Sequence, residues 1–226
     1  MSDIFKEVEE DIRRDQAKKL WDRFGPYVIG LAVLIVVATA GYRGWIYWQE
    51  RQAQATGDRF FSALELAEGG KHEEAITALE AIAADGSGQY PVLAGFRIAA
   101  EKEATGDIDG AVAEFDAIAA RNDIAGEVKA LARLRAAMLL SASLPLADME
   151  SRIGDLAATG NVWRHNAREL LGLSAWRAGD YEKARQYFTE IGDDQESPSD
   201  MRQRVQIMLA LITSRIGAPP ADKPQG

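Results

Sequence analysis

Few residues in this chain could carry chemistry. There is no cysteine, so thiolate nucleophiles, disulfides and thiolate metal sites are not open to it. Two histidines exist, His72 and His165, and neither has a second histidine three or four residues on to hold a metal from one helix face. His72 reads as a helix-start surface residue and His165 as an ordinary core or surface side chain. Asp107-Ile108-Asp109-Gly110 supplies the first two acids of a calcium loop. Ala111 stands where the third oxygen ligand is required, and the distal Glu is not at its place. Gly70-Lys71 is no phosphate loop, because Glu65 occupies the upstream glycine position. Asp193-Asp194 falls in a Gly-, Ser- and Pro-bearing stretch and is expected to be solvated. No catalytic, cofactor-binding or metal-ligating residue is therefore assigned, and the chain is expected not to be an enzyme.

The elements around these residues point to binding. The formal charge is −9, and beyond residue 50 there are 19 Lys and Arg against 27 Asp and Glu. A body of that sign repels phosphate backbones, which excludes nucleic acid as the expected partner. The composition favours helix throughout.

Against this polar background, residues 25–42 carry no charge and 28–38 are almost wholly aliphatic. Eighteen residues of helix extend about 27 Å at about 1.5 Å per residue, close to the hydrocarbon thickness. Trp21, Phe24 and Tyr27 precede the run, and Tyr42, Trp45, Tyr47 and Trp48 follow it. Such a double aromatic belt suits the headgroup zones of a spanning helix. Leu31, Leu34 and Ile35 would face lipid, and Arg43 would snorkel to the interface. The stretch just before the span holds five Lys and Arg residues (Arg13, Arg14, Lys18, Lys19, Arg23), whereas a comparable stretch after it holds three (Arg43, Arg51, Arg59). That bias places the N-terminus in the cytoplasm and the rest in the periplasm. A competing expectation is cleavage after Ala38-Thr39-Ala40, which would release the same domain. Ahead of the span, Ile4, Phe5, Val8 and Ile12 fall on one helical face. The expected parts are a cytoplasmic tail (1–24), a transmembrane helix (25–48), a repeat domain (49–216) and a disordered tail (217–226).

The repeat is visible as Gly, then Ala five residues on, then a large apolar residue four further. It reads Gly70, Ala75, Leu79; Gly106, Ala111, Phe115; and Gly179, Ala184, Phe188. The intervals place a degenerate copy near residue 143, giving a period of about 36. Each Gly should end a first helix, and each Ala should let the second helix approach closely. The expected pairs are 56–69 with 72–84, 90–105 with 108–120, 124–142 with 146–158, and 162–178 with 181–191. A last helix at 199–216 should cap the stack, giving an all-α solenoid.

Leu171-Gly172, Gly179, Ala184 and Phe188 resemble the tetratricopeptide repeat, whose fold is a right-handed α-solenoid. At that family's spacing, Asn166, Glu169, Trp176 and Arg177 would face a peptide groove, together with Phe96 and Arg133 from earlier units. Alternatively, Trp176 would fill the interface with the last helix. The whole layout, with Gly44-Trp45-Ile46-Tyr47-Trp48 closing the span, resembles the YfgM-like ancillary subunits of the bacterial SecYEG translocon. That resemblance implies an inner-membrane protein with three kinds of partner: the SecYEG translocon, a periplasmic folding helper and newly exported client chains. A chaperone-like role and no cofactor are implied with it. The alternative is an adaptor of another envelope assembly, such as cell-wall synthesis, division or outer-membrane biogenesis.

Overall fold

The computed structural model describes the backbone from residue 3 to 217, and side chains at 18, 23, 24, 26, 27 and from 29 onward. The side chains of Trp21, Ile4, Phe5, Val8 and Ile12 lie outside the described residues, as does the expected tail beyond Gly217. The described chain is all α, with no strand. It divides into two compact units, Met1–Ala55 and Thr56–Gly226. Helix α1 (Asp3–Glu68) contributes to both, and Pro26 lies within it.

The second unit is a succession of antiparallel helices. After the end of α1 come α2 (His72–Asp85), α3 (Tyr90–Ala104), α4 (Ile108–Ala120), α5 (Gly126–Leu139) and α6 (Leu146–Ile153). Then follow α7 (Arg164–Ala178), α8 (Tyr181–Gly192) and α9 (Ser199–Ile216). Helices from α2 to α5 pack on their chain neighbours, as do α7, α8 and α9.

The repeat's glycines do what their spacing predicts. Gly70, Gly106 and Gly179 have φ of 75°, 86° and 79°, a region that a side chain with a Cβ disfavours. Each closes its helix with the same two bonds. At the last of them, the Gly179 N–H donates to the Trp176 carbonyl at 3.1 Å and the Asp180 N–H to the Ala175 carbonyl at 3.0 Å. The following acid then starts the second helix: the Asp107 carboxylate accepts from Gly110 N–H at 2.9 Å, and that of Asp180 from Lys183 N–H at 3.1 Å. Lys71 has no acceptor to offer, and α2 begins without a side-chain cap.

Ala75, Ala111 and Ala184 are fully buried, and Leu79, Phe115 and Phe188 each sit in a separate apolar core. A Cβ added at Gly172 would come within 2.9 Å of the Phe188 ring, so this ring sits against bare backbone.

The third hairpin departs from the pattern as its sequence does. In place of a left-handed glycine, a 3₁₀ turn (Leu140–Ala142) leads through Ser143 and Leu144 to Pro145, which precedes α6. Helix α6 is only 8 residues long and passes into a second 3₁₀ turn, Gly154–Ala157. Helix α5 starts at Gly126 rather than at 124.

Candidate functional site

Each first helix has neighbours on two sides, which leaves one stripe uncovered. On α3 that stripe is Leu93, Phe96, Arg97 and Ala100, spaced i, i+3, i+4, i+7. On α5 it is Leu131, Arg135 and Met138, opposite the buried Ala130, Ala132, Ala136 and Ala137. On α7 it is Asn166, Glu169, Leu173, Trp176 and Arg177. At the start of the unit, α1 exposes Phe61 between Asp58 and Glu65.

Contacts anchor these stripes to the elements around them. The Phe96 ring centroid is 5.7 Å from that of Phe115, and the Arg135 guanidinium lies 5.8 Å from the same ring, linking α3 to α5. Arg177 Nη2 donates to the Leu144 carbonyl at 2.5 Å, linking α7 to the end of the α5 hairpin. Arg204 of α9 donates to Glu169 from Nε at 2.9 Å and from Nη2 at 3.2 Å.

Of the six residues the repeat spacing assigns to a groove, Phe96, Asn166, Glu169, Trp176 and Arg177 lie on these stripes. Arg133 does not. It precedes Arg135 by two residues, which is about 200° around the helix. Its guanidinium reaches instead to α6, donating to the Arg152 carbonyl and, at 2.8 and 2.5 Å, to Asp155. Trp176 is shared. Its ring centroid is 4.9 Å from that of Tyr181, and it packs against the same buried core as Met208 and Leu209 of α9 while staying partly exposed. Leu131, Arg135, Met138 and Leu173 were not foreseen. The signal for them was a large side chain recurring opposite a run of alanines.

The charges of the surface are unevenly partnered. Arg97 is held by the buried Glu101 at 2.5 Å, and His72 Nδ1 lies 2.6 Å from the same carboxylate. Among the described residues, Arg135 and Arg177 form no ion pair. Arg135 rests over the Phe115 ring, whereas Arg177 is satisfied by a carbonyl and by the Ser174 hydroxyl at 3.4 Å.

The remaining titratable clusters bind helices together. Asp194 is not solvated as expected, because Arg164 Nε reaches it at 2.8 Å and His165 Nε2 lies 2.9 Å away. These partners, Arg164 first, hold its carboxyl well below the usual carboxylate range. Tyr187 donates to Glu150 at 3.1 Å, and its hydroxyl is pushed up to about 12 by burial and then by the Glu150 charge. Trp163 Nε1 donates to the Glu127 carbonyl at 2.9 Å, joining the starts of α5 and α7. Asp107, the first acid of the apparent calcium motif, is occupied as a helix cap.

The first unit carries a surface of another kind. Ile29–Glu68 is the one described helix long and apolar enough to cross a membrane, and its apolar window has nothing buried. Tyr27, Leu31, Leu34, Ile35, Arg43, Trp45, Tyr47 and Trp48 are all exposed. A helix that is apolar on every side and uncovered is unlike the core helix of a globular domain. Thr39 donates to the Ile35 carbonyl at 2.7 Å, so its hydroxyl needs no outside partner. At the polar end, Trp45 and Trp48 lie 5.6 Å apart, and the Arg51 guanidinium covers the Tyr47 ring at 5.1 Å.

The family model described as a tetratricopeptide repeat-like domain matches residues 18–214. No curated protein and no solved structure matches the chain.

Proposed function

The chain belongs to the tetratricopeptide repeat-like domain family, and from that premise we propose a membrane-tethered, non-enzymatic scaffold that docks segments of partner proteins. The observation that carries this is the run of uncovered stripes on α3, α5 and α7, in which large apolar side chains alternate with charged ones. Interaction surfaces favour that mixture of aromatic, aliphatic and Arg side chains.

The tether is the apolar stretch beginning at Ile29. It spans the inner membrane with the N-terminus in the cytoplasm and the helical unit in the periplasm. The parts are a cytoplasmic tail (1–24), the span (25–48), the repeat domain (49–216) and a terminal tail (217–226). Holding the stripes at the bilayer raises their effective concentration for chains emerging there, so weak contacts suffice. The Gly44-Trp45-Ile46-Tyr47-Trp48 block and the layout support a finer assignment: an ancillary subunit of the SecYEG translocon, acting chaperone-like on exported chains beside a periplasmic folding helper.

Two measurements test this. Intact mass with protease accessibility in spheroplasts should find an uncleaved chain whose helical unit alone is digested from outside. A soluble cytosolic protein with its amino terminus intact overturns the tether. Photo-crosslinking from Leu34 and Trp48, followed by detergent purification, should recover translocon subunits. Recovery of a different envelope assembly moves the scaffold there.

A further inference from the structure

Resting on that docking reading, we propose that the surface formed by α5 and α7 selects partner segments in which carboxylates alternate with large apolar side chains. The helical unit as a whole predicts the reverse, since its net charge should favour basic ligands. The local chemistry runs against that sign.

Most described cations of the unit already face an acid. Arg59 pairs with Asp85, Lys102 with Glu114, Arg133 with Asp155, Arg152 with Asp116, Lys183 with Glu150 and Arg204 with Glu169. Arg135 and Arg177 are the exceptions that lie on the stripes, on consecutive first helices. Neither has a carboxylate partner among the described residues, although Asp and Glu outnumber Lys and Arg across the sequence. Arg135 is oriented by the Phe115 ring and Arg177 by the Leu144 carbonyl. A guanidinium held in place by an aromatic face or a carbonyl keeps N–H donors for an incoming carboxylate and loses little freedom on binding one.

Apolar positions flank both arginines. Leu131 and Met138 are one turn either side of Arg135, and Leu173 and Trp176 adjoin Arg177. Met138 is 49% and Leu173 43% exposed, which leaves apolar area to cover beside each cation. The segment that fits therefore carries acidic and large apolar residues together. Acid alone would leave the apolar positions wet, and apolar residues alone would leave two cations unpaired against a covered surface.

The test uses the full chain in detergent micelles and fluorescein-labelled unstructured peptides of about a dozen residues, the size of one recognition segment. One peptide alternates Glu with Leu and Phe, a second replaces Glu by Gln, and a third replaces Glu by Lys. The Glu peptide should bind tightest, lose about tenfold in affinity for each of Arg135→Gln and Arg177→Gln, and weaken as salt is raised. Lys129→Gln removes a cation about 120° around α5 from Arg135, off the stripe, and should change nothing. Arg135→Lys should restore part of the binding. Helical melting curves of all variants show whether any loss is one of folding.

Equal binding of the Glu and Gln peptides overturns the charge assignment and leaves the docking surface standing. Tighter binding of the Lys peptide overturns it too, in favour of the overall charge. Failure of all three peptides overturns the docking surface itself. A full chain that self-associates through Arg135 and Arg177 makes a second copy the occupant and overturns the proposal.

Discussion

The third and fourth hairpins perform the same packing task by different means. In the fourth, α7 and α8 are brought together by small residues and one large ring: Gly179 turns the chain, Ala184 disappears into the interface, and Phe188 lies on bare Gly172. In the third, the left-handed glycine and the ring on bare backbone are absent. The turn is a 3₁₀ segment, α6 is short, and polar ties from Arg133 to the Arg152 carbonyl and Asp155 join the two helices. Arg152 in turn reaches back to Asp116 of α4 at 2.6 Å. Where the glycine turn has eroded, arginines spanning helix ends add polar ties to a buried apolar core that includes Leu134, Ala137, Met149 and Ile153.

The contrast can be attacked on both sides. The largest effect should come from Phe188→Ala, which empties a side chain only 1% exposed and should lower unfolding free energy by about 3–5 kcal/mol in urea titrations. Gly179→Ala should follow at about 1–2 kcal/mol, because φ of 79° disfavours a Cβ. The corresponding Ser143→Ala should stay within about 0.5 kcal/mol, since no left-handed residue closes that turn. Equal losses at the two turns would erase the distinction. Arg133→Gln should lower stability by about 1 kcal/mol, a loss of hydrogen bonds at a partly exposed pair.

Acid should produce the smallest change, and at the C-terminal end. The carboxyl of Asp194 is lowered in the folded state from an ordinary value of 3.8 by Arg164 and His165. Its contribution is therefore complete above that value and is lost as pH falls through the depressed one. Melting temperature followed from pH 5 downward should drop less steeply in Asp194→Asn than in the parent chain, about in proportion to that one lost proton linkage. Parallel curves would remove Asp194 from the account.

The helices were legible because Gly, Ala and a large apolar residue recur at spacings that only one local geometry satisfies. The intact hairpins came out within a residue or two of expectation except at the first helix, expected to start at 56 and instead continuous within Asp3–Glu68, whereas the third, lacking its glycine, gave a late start to α5 and a truncated α6. The candidate surface was legible where the code was intact, at Asn166, Glu169, Trp176 and Arg177 on α7. It failed on α5, where Arg133 was chosen and Arg135 is the exposed residue. Two residues in a degenerate repeat turn a helix more than halfway round, so Arg133 faces α6 and Arg135 the stripe. Asp194 was missed for a related reason. Its partners lie 30 and 29 positions away, on a helix brought beside it only by the stacking.

Helices that pack chiefly on their chain neighbours impose little waiting during biosynthesis. No segment must be stored unpaired until a distant complement arrives, as a strand in a non-local sheet must. Each hairpin can acquire its main contacts when the next one leaves a ribosome or a narrow pore, and a locally connected array can nucleate at any intact unit.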